Sequence, residues 1–206
     1  MARSKMNNAQ RIQKLLDVIK SLDEQDMKDY ISSFIPYLEL VSADDFEDAA
    51  RHHHNPRVVF AYTVRPEHCN RLGNMHGGAT ATLFDFGTSL AMALLPEAKP
   101  TPENTDAAGN ASSESSEGES GEDEDEDEDV IRSWQRLGVS RTLAVTYVRP
   151  APCNSEVLLE CEQVHAGKRM SSLRGVLRRR RDGAVLATCE HGKVILEPEY
   201  VPSPKL

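Results

Sequence analysis

Apolar positions near the start of the chain recur with the period of an α-helix. Four of them stand at i, i+3, i+4 and i+7, namely Ile12, Leu15, Leu16 and Ile19. This spacing places them on one face and predicts an amphipathic helix over residues 11–22. A second helical segment is predicted over residues 25–34, and Pro36 is expected to end it. Together they form a predicted N-terminal helical extension over residues 1–36.

Stretches rich in β-branched and aromatic residues predict strands further along the chain. They cover residues 37–42, 57–64, 139–152 and 156–169, followed by two strands within residues 170–198. Asp182-Gly183 separates the last two strands and is a strong hairpin signal. The polar residues between 44 and 56 are expected to form a loop.

The run between His76 and Glu97 predicts a helix that is buried on most of its faces. It consists of Gly, Ala, Thr, Ser and large apolar side chains, and its single ionisable residue is Asp85. Burying an unpaired carboxylate costs several kcal/mol or forces it to stay protonated. Asp85 is therefore a candidate functional residue.

The order of these elements indicates the fold class. Two strands, one buried helix and about four further strands are typical of an α+β fold in which a curved antiparallel sheet wraps around the helix. The predicted domain spans residues 37–198, and residues 199–206 form a C-terminal tail.

Charge is unevenly spread along the chain, whose net charge is −9. Residues 101–129 hold thirteen Asp and Glu and no Lys or Arg, which predicts a disordered acidic insertion over residues 97–130. The chain has 33 acids in all, so the remainder carries 20 acids against 24 Lys and Arg. This mildly basic body suits an anionic ligand, but it lacks the dense basic face of a nucleic-acid-binding protein.

The cysteines and the hydropathy indicate a soluble protein of a reducing compartment. The four cysteines have neither Cys-x-x-Cys nor zinc-finger spacing, so no metal site is predicted. No segment has the length and hydropathy of a membrane span. We therefore expect a cytoplasmic protein. Four basic residues precede the first acid and leave a mitochondrial presequence as the alternative: Arg3, Lys5, Arg11 and Lys14.

The residues around Asp85 resemble a known family. Residues 70–85 read N-R-L-G-N-M-H-G-G-A-T-A-T-L-F-D, with Asn70 six residues before His76 and Asp85 nine residues after it. The stretch G-V-S-R-T-L-A-V-T-Y-V-R-P-A follows downstream over residues 138–151. This combination closely resembles the hotdog-fold acyl-CoA thioesterases of the PaaI-like branch.

The resemblance implies a role for each residue of the motif. Gly77 supplies an oxyanion-binding N–H, and Asn70 and His76 support or polarise the thioester. Asp85 acts as a general base on water, or as a nucleophile that forms an anhydride, and Ser140 helps to position the water. The family dimerises, so Asp85 would meet the Gly77 turn of a second subunit.

The residues themselves leave simpler roles open. Asp85 could form a silent pair with an arginine, and His76 could only stabilise its turn. Asn70 could brace its loop through side-chain to backbone bonds. Ser140 could be an ordinary strand residue.

Coenzyme A carries phosphates that call for Lys and Arg near the pocket mouth. The family's CoA-contacting positions match seven residues here: Gly78, Thr142, Tyr147, His165, Gly167, Lys168 and Arg169.

The resemblance thus implies hydrolysis of a fatty or aryl acyl-CoA to a free acid and CoA by a homodimer, possibly a homotetramer. It implies no cofactor, since coenzyme A is part of the substrate. The alternative is a non-catalytic hotdog dimer that binds acyl-CoA and uses its acidic tract to bind a partner.

Overall fold

The computed structural model describes residues 6–24, 29–94 and 137–195. The predicted acidic insertion (97–130) and C-terminal tail (199–206) lie outside these residues. So do residues 25–28 of the second predicted helix.

One antiparallel sheet of six strands forms the body of the described chain. The strands are β1 (Leu38–Ala43), β2 (Arg57–Thr63), β3 (Val139–Tyr147), β4 (Glu156–Ala166), β5 (Met170–Arg179) and β6 (Val185–Val194). Their order across the sheet is β1-β2-β4-β5-β6-β3. All six predicted strands are therefore confirmed, and β3 lies at one edge of the sheet that they form.

The predicted buried helix is α3, which spans Gly77–Leu90 and packs against the sheet. Two glycines allow this close packing. A Cβ on Gly87 would lie 2.3 Å from a side-chain carbon of Leu159. A Cβ on Gly175, in β5, would lie 2.6 Å from the ring of Phe84. Helix and sheet thus approach each other at glycine, and the α+β hotdog architecture is confirmed.

The first helix, α1, spans Asn8–Glu24 and so begins before the predicted segment. All four of its predicted core residues are buried and join the main hydrophobic core: Ile12, Leu15, Leu16 and Ile19. The helix packs beside β1 and the short helical turn Ala91–Ala93. Among the described residues, no helix is long and apolar enough to cross a membrane.

Two local predictions are wrong. Residues 30–34 form turns rather than a helix, and Pro36 lies inside a short 3-10 helix, Ile35–Tyr37. Side-chain bonds replace helical ones there, since the Ile31 N–H donates to Asp29 and the Asp29 N–H donates to Ser32. The predicted loop over residues 44–56 contains a short helix, α2 (Phe46–Arg51).

Candidate active site

The start of α3 presents an open backbone N–H. His76 caps the helix, because its Nδ1 accepts a hydrogen bond of 3.0 Å from the Gly78 N–H. The Gly77 N–H has no hydrogen-bond partner among the described residues. It lies at the positive end of the helix dipole, so it can bind a carbonyl oxygen or an oxyanion.

Asn70 lies in the loop that leads to this helix, and its side chain braces that loop. Its Oδ1 accepts the backbone N–H groups of Leu72 at 2.9 Å and Asn74 at 3.3 Å. This is the bracing role that the sequence left open. The Oδ1 contacts also fix the orientation of the amide and leave its Nδ2 as a further donor.

An open pocket of about 410 Å³ joins these groups. Asn70, Gly77 and Tyr147 line its polar side. The Tyr147 hydroxyl donates a hydrogen bond of 2.7 Å to the Gly77 carbonyl oxygen, which ties the edge strand β3 to the start of α3. Apolar side chains line the rest of the pocket and include Met75, Ala151, Leu177, Leu186 and Ala187. The pocket thus combines N–H donors with an apolar wall.

Asp85 lies elsewhere on α3. Eight residues of helix separate it from Gly77, which corresponds to about 12 Å along the axis. Its Oδ1 accepts a hydrogen bond of 2.5 Å from the Ser140 hydroxyl at the start of β3. The sequence predicts a buried carboxylate, whereas the Asp85 side chain is 47% exposed in the structure. Asp85 faces the edge strand rather than the centre of the sheet.

Two buried basic residues of β6 complete the surroundings of Asp85. His191 Nε2 lies 3.3 Å from Asp85 Oδ1, while His191 Nδ1 lies 2.6 Å from the Thr88 hydroxyl. Lys193 Nζ donates to the Ser89 hydroxyl at 2.6 Å and to the Ser140 hydroxyl at 3.4 Å. Sequence reasoning missed both basic residues.

Burial favours the neutral form of His191. It lowers the pKa of His191 to about 4, and the neighbouring Lys193 acts in the same direction, while Asp85 opposes them. His191 is therefore neutral at pH 7. Burial also lowers the pKa of Lys193, and there too Asp85 opposes the shift.

We expect His191 to make the fold sensitive to acid. Its pKa is about 4 in the fold, below the value near 6.5 of an unfolded chain. The unfolded state therefore binds more protons between these pH values, and stability falls as the pH drops through this window. The loss amounts to about 3 kcal/mol between pH 7 and pH 4.

Urea unfolding of the wild type and His191→Asn at several pH values measures this loss. The difference in free energy of unfolding between them should shrink by that amount on acidification. His52→Asn, at an exposed histidine, is the control and should keep a constant difference from the wild type. A constant difference for His191→Asn as well would refute the prediction.

The predicted site residues therefore fall into two groups. Asn70, Gly77 and Tyr147 meet at the pocket, whereas Asp85 and Ser140 meet near the other end of β3. Ser140 and Tyr147 are seven residues apart on that strand, a distance of about 23 Å.

The predicted CoA-contacting turn lies beside the Asp85 group. His165, Gly167, Lys168 and Arg169 belong to the hairpin between β4 and β5. The first residues of β5 after this turn pair with the end of β6, where Ser171 lies opposite Lys193. Thr142 of β3 lies opposite Gly192 of β6. Gly78 lies at the start of α3, where its N–H donates to His76 Nδ1.

The sequence profile of the thioesterase superfamily matches residues 72–186, which is more than half of the chain. The chain belongs to the thioesterase superfamily. The match begins within the loop that contains Asn70 and includes α3 and strands β3 to β5. The family predicted from the sequence motif is thus confirmed.

Solved structures of thioesterase superfamily proteins share the fold. Thioesterase superfamily member 2 from zebra fish is 20% identical, with a TM-score of 0.57, and the match covers 88% of this chain and 98% of that one. The protein of that name from Mus musculus is 21% identical, with a TM-score of 0.57 and coverages of 94% and 100%.

A hypothetical thioesterase protein from Streptococcus pneumoniae, solved with coenzyme A, is 16% identical, with a TM-score of 0.52 and coverages of 85% and 96%. No curated protein matches this chain.

Proposed function

We propose that this protein is an acyl-CoA thioesterase whose active sites each combine residues of two copies of the chain. The observation that carries the proposal is the hydrogen bond of 2.5 Å between Ser140 and the half-exposed carboxylate of Asp85. A carboxylate held in this way and open to solvent is suited to accept a proton from water.

The proposed reaction needs only these protein groups and water. Asp85 takes a proton from a water molecule that Ser140 helps to hold, and the oxygen attacks the thioester carbonyl carbon. The Gly77 N–H stabilises the resulting oxyanion, and the Asn70 amide supports it. The carbon–sulfur bond then breaks, and the CoA sulfur takes the proton that Asp85 removed from the water, so the products are a free acid and CoA.

One copy of the chain cannot bring these groups to one thioester. Gly77 and Asp85 are separated by about 12 Å along α3, whereas a reacting water and an oxyanion donor must lie within about 3 Å of adjacent atoms. A second copy can supply the missing half. We therefore assign Gly77 and Asn70 of one copy and Asp85 of the other to each site.

Strand β3 supports this arrangement. It lies at the edge of the sheet of described strands, and several of its apolar side chains are exposed, including Val139 and Tyr147. An open apolar edge strand is a template for pairing with another chain. If two β3 strands pair antiparallel about their midpoint at residue 143, residue 140 of one copy lies opposite residue 146 of the other, next to Tyr147. Such pairing brings the two groups of site residues together.

Exposed basic residues support the proposal that the substrate carries coenzyme A. His165, Lys168 and Arg169 are exposed on the hairpin beside the Asp85 group, where they can meet the phosphates of CoA. The likeness to a thioesterase protein solved with coenzyme A supports a CoA thioester as the substrate class. The apolar wall of the pocket, formed by side chains such as Leu177 and Leu186, suits a fatty or aryl acyl group.

A kinetic screen across acyl-CoA substrates tests this function directly. Release of the CoA thiol would be followed for acetyl, medium-chain, long-chain and phenylacetyl thioesters. We expect saturable hydrolysis of at least one of the apolar acyl groups and the weakest activity on acetyl-CoA, which leaves the apolar wall unfilled. Binding of CoA without turnover of any thioester would instead support the non-catalytic alternative.

A further inference from the structure

Lys193 is a buried cation that the proposed reaction does not use. It is 4% exposed, and its ammonium lies between Ser89 of α3 and Ser140 of β3. A buried ammonium is costly unless hydrogen bonds and an opposite charge compensate for its lost hydration. The two hydroxyls supply the hydrogen bonds, and Asp85 supplies the charge that favours the protonated form of Lys193.

The two serines also tie Lys193 to both sides of Asp85. Ser89 donates a hydrogen bond of 2.6 Å to the Asp85 carbonyl oxygen, and Ser140 donates one of 2.5 Å to the Asp85 carboxylate. Each serine hydroxyl has a single proton, and each gives it to Asp85. Each hydroxyl oxygen can therefore accept from the Lys193 ammonium, which has three protons to donate. Lys193 thus fixes the direction of both hydroxyls.

Among the described residues near Asp85, Lys193 is the buried cation, whereas Lys168 and Arg169 of the neighbouring hairpin are exposed. On β6 the inward-facing neighbours are His191, which is neutral at pH 7, and Cys189, whose pKa burial raises to about 12. The residues opposite Lys193 on β5 and β3 are the uncharged Ser171 and Ser140.

Two further charged residues of this region, Glu190 and Arg141, contact other groups. Glu190 points outward from β6 and pairs with Arg174 of β5 at 3.1 Å. Arg141 of β3 is exposed, and its Nη1 contacts the sulfur of Met170.

We propose that Lys193 is a positioning residue that holds the Ser140 hydroxyl in its donor orientation toward the Asp85 carboxylate. This inference deepens the proposed function and rests on it, because it assigns Lys193 to the general base of that reaction. The negative charge of Asp85 in turn favours the charged form of Lys193, so the ammonium keeps protons to donate to both serines.

Two variants separate the charge from the hydrogen bonds. Lys193→Gln keeps a hydrogen-bond donor without charge, and Lys193→Met removes both. In both variants we expect kcat to fall, because the Ser140 hydroxyl loses the ammonium that fixes its direction. At pH 7 we expect kcat to fall further in Lys193→Met than in Lys193→Gln, with KM for acyl-CoA little changed.

The control is Lys20→Met, at a lysine of α1, which should keep the wild-type kcat and KM. Circular dichroism and thermal unfolding show whether each variant is folded. Equal kcat values in folded Lys193→Gln and folded Lys193→Met would overturn the proposal, because a hydrogen-bond donor at this position would then make no difference to the reaction.

A second readout does not depend on turnover. Nuclear magnetic resonance of lysine labelled with ¹³C at Cε follows the titration of Lys193 in the folded protein. We expect the pKa of Lys193 to fall further in Asp85→Asn, and to stay at the wild-type value in Asp48→Asn, at a carboxylate of α2. An unchanged pKa in Asp85→Asn overturns the inference even if the enzyme hydrolyses acyl-CoA. If the wild type hydrolyses no acyl-CoA and the pKa of Lys193 still falls in Asp85→Asn, the proposed reaction is wrong and the contact between Lys193 and Asp85 is confirmed.

Discussion

Replacing Asp85 by Asn is expected to lower kcat for acyl-CoA hydrolysis by about three orders of magnitude, the scale of a lost general base. The amide has nearly the same shape and its oxygen can still accept the hydrogen bond from Ser140, but it cannot take a proton from water. KM should change little, because Asp85 is not assigned to CoA binding. Steady-state kinetics on the best substrate of the acyl-CoA screen measures both constants.

The matched control is Asp48→Asn, which makes the same chemical change at an exposed carboxylate of α2. It should keep wild-type kinetics. Isothermal titration with CoA should show that Asp85→Asn still binds the ligand. A kcat for Asp85→Asn within tenfold of the wild type would contradict the role of Asp85 as the base.

Mixing two inactive variants is expected to restore activity. Asn70→Ala damages one half of each proposed site, and Asp85→Asn damages the other half. A heterodimer of the two variants has one site with both intact halves and one site with neither. Random association of equal amounts makes half of the dimers mixed, so about a quarter of the wild-type activity should return.

Co-expression with two different affinity tags isolates the mixed dimer and raises the expected activity to half of the wild type. Two copies of the same variant that carry the two tags are the control, and they should stay inactive. If the mixed dimer is no more active than the mean of the two variants, each site lies within one chain and the two-copy arrangement is wrong.

Much of the fold could be predicted because its signals are local. Runs of β-branched residues mark the six strands in the sequence. The predicted turn at Asp182-Gly183 lies between β5 and β6 in the structure. The apolar spacing of α1 likewise marks the face that the structure buries. These elements depend on residues that are close together in sequence, so their pattern is visible without the fold.

Short elements were harder to predict, because one or two hydrogen bonds between side chains and the backbone determine whether a short helix forms. The helix expected to end at Phe34 fails where Asp29 and Ser32 bond to nearby backbone N–H groups instead. Helix α2 was missed in a polar stretch, although Glu47 and Asp48 in its first turn and Arg51 in its last turn suit the helix dipole.

Only those residues of the candidate site that belong to a sequence motif could be predicted. The resemblance named both Asp85 and Ser140, and the structure places them in contact. His191 and Lys193 carry no motif. They alternate with outward residues on β6, so their side chains face the core side as Cys189 does. Their contact with α3, about a hundred residues earlier in the chain, depends on β6 lying between β5 and β3.

The glycines at 87 and 175 also determine the depth at which α3 lies in the sheet. Asp85 is two residues before Gly87, so the depth of the helix sets how far its carboxylate stands from Ser140 and from the buried cation on β6. A side chain at either glycine would meet core side chains within 3 Å, and a shift of the helix to relieve that overlap would change the contacts of Asp85. An alanine at residue 87 or 175 would then lower the rate of hydrolysis without touching the substrate. The packing between α3 and the sheet is in this sense part of the catalytic geometry.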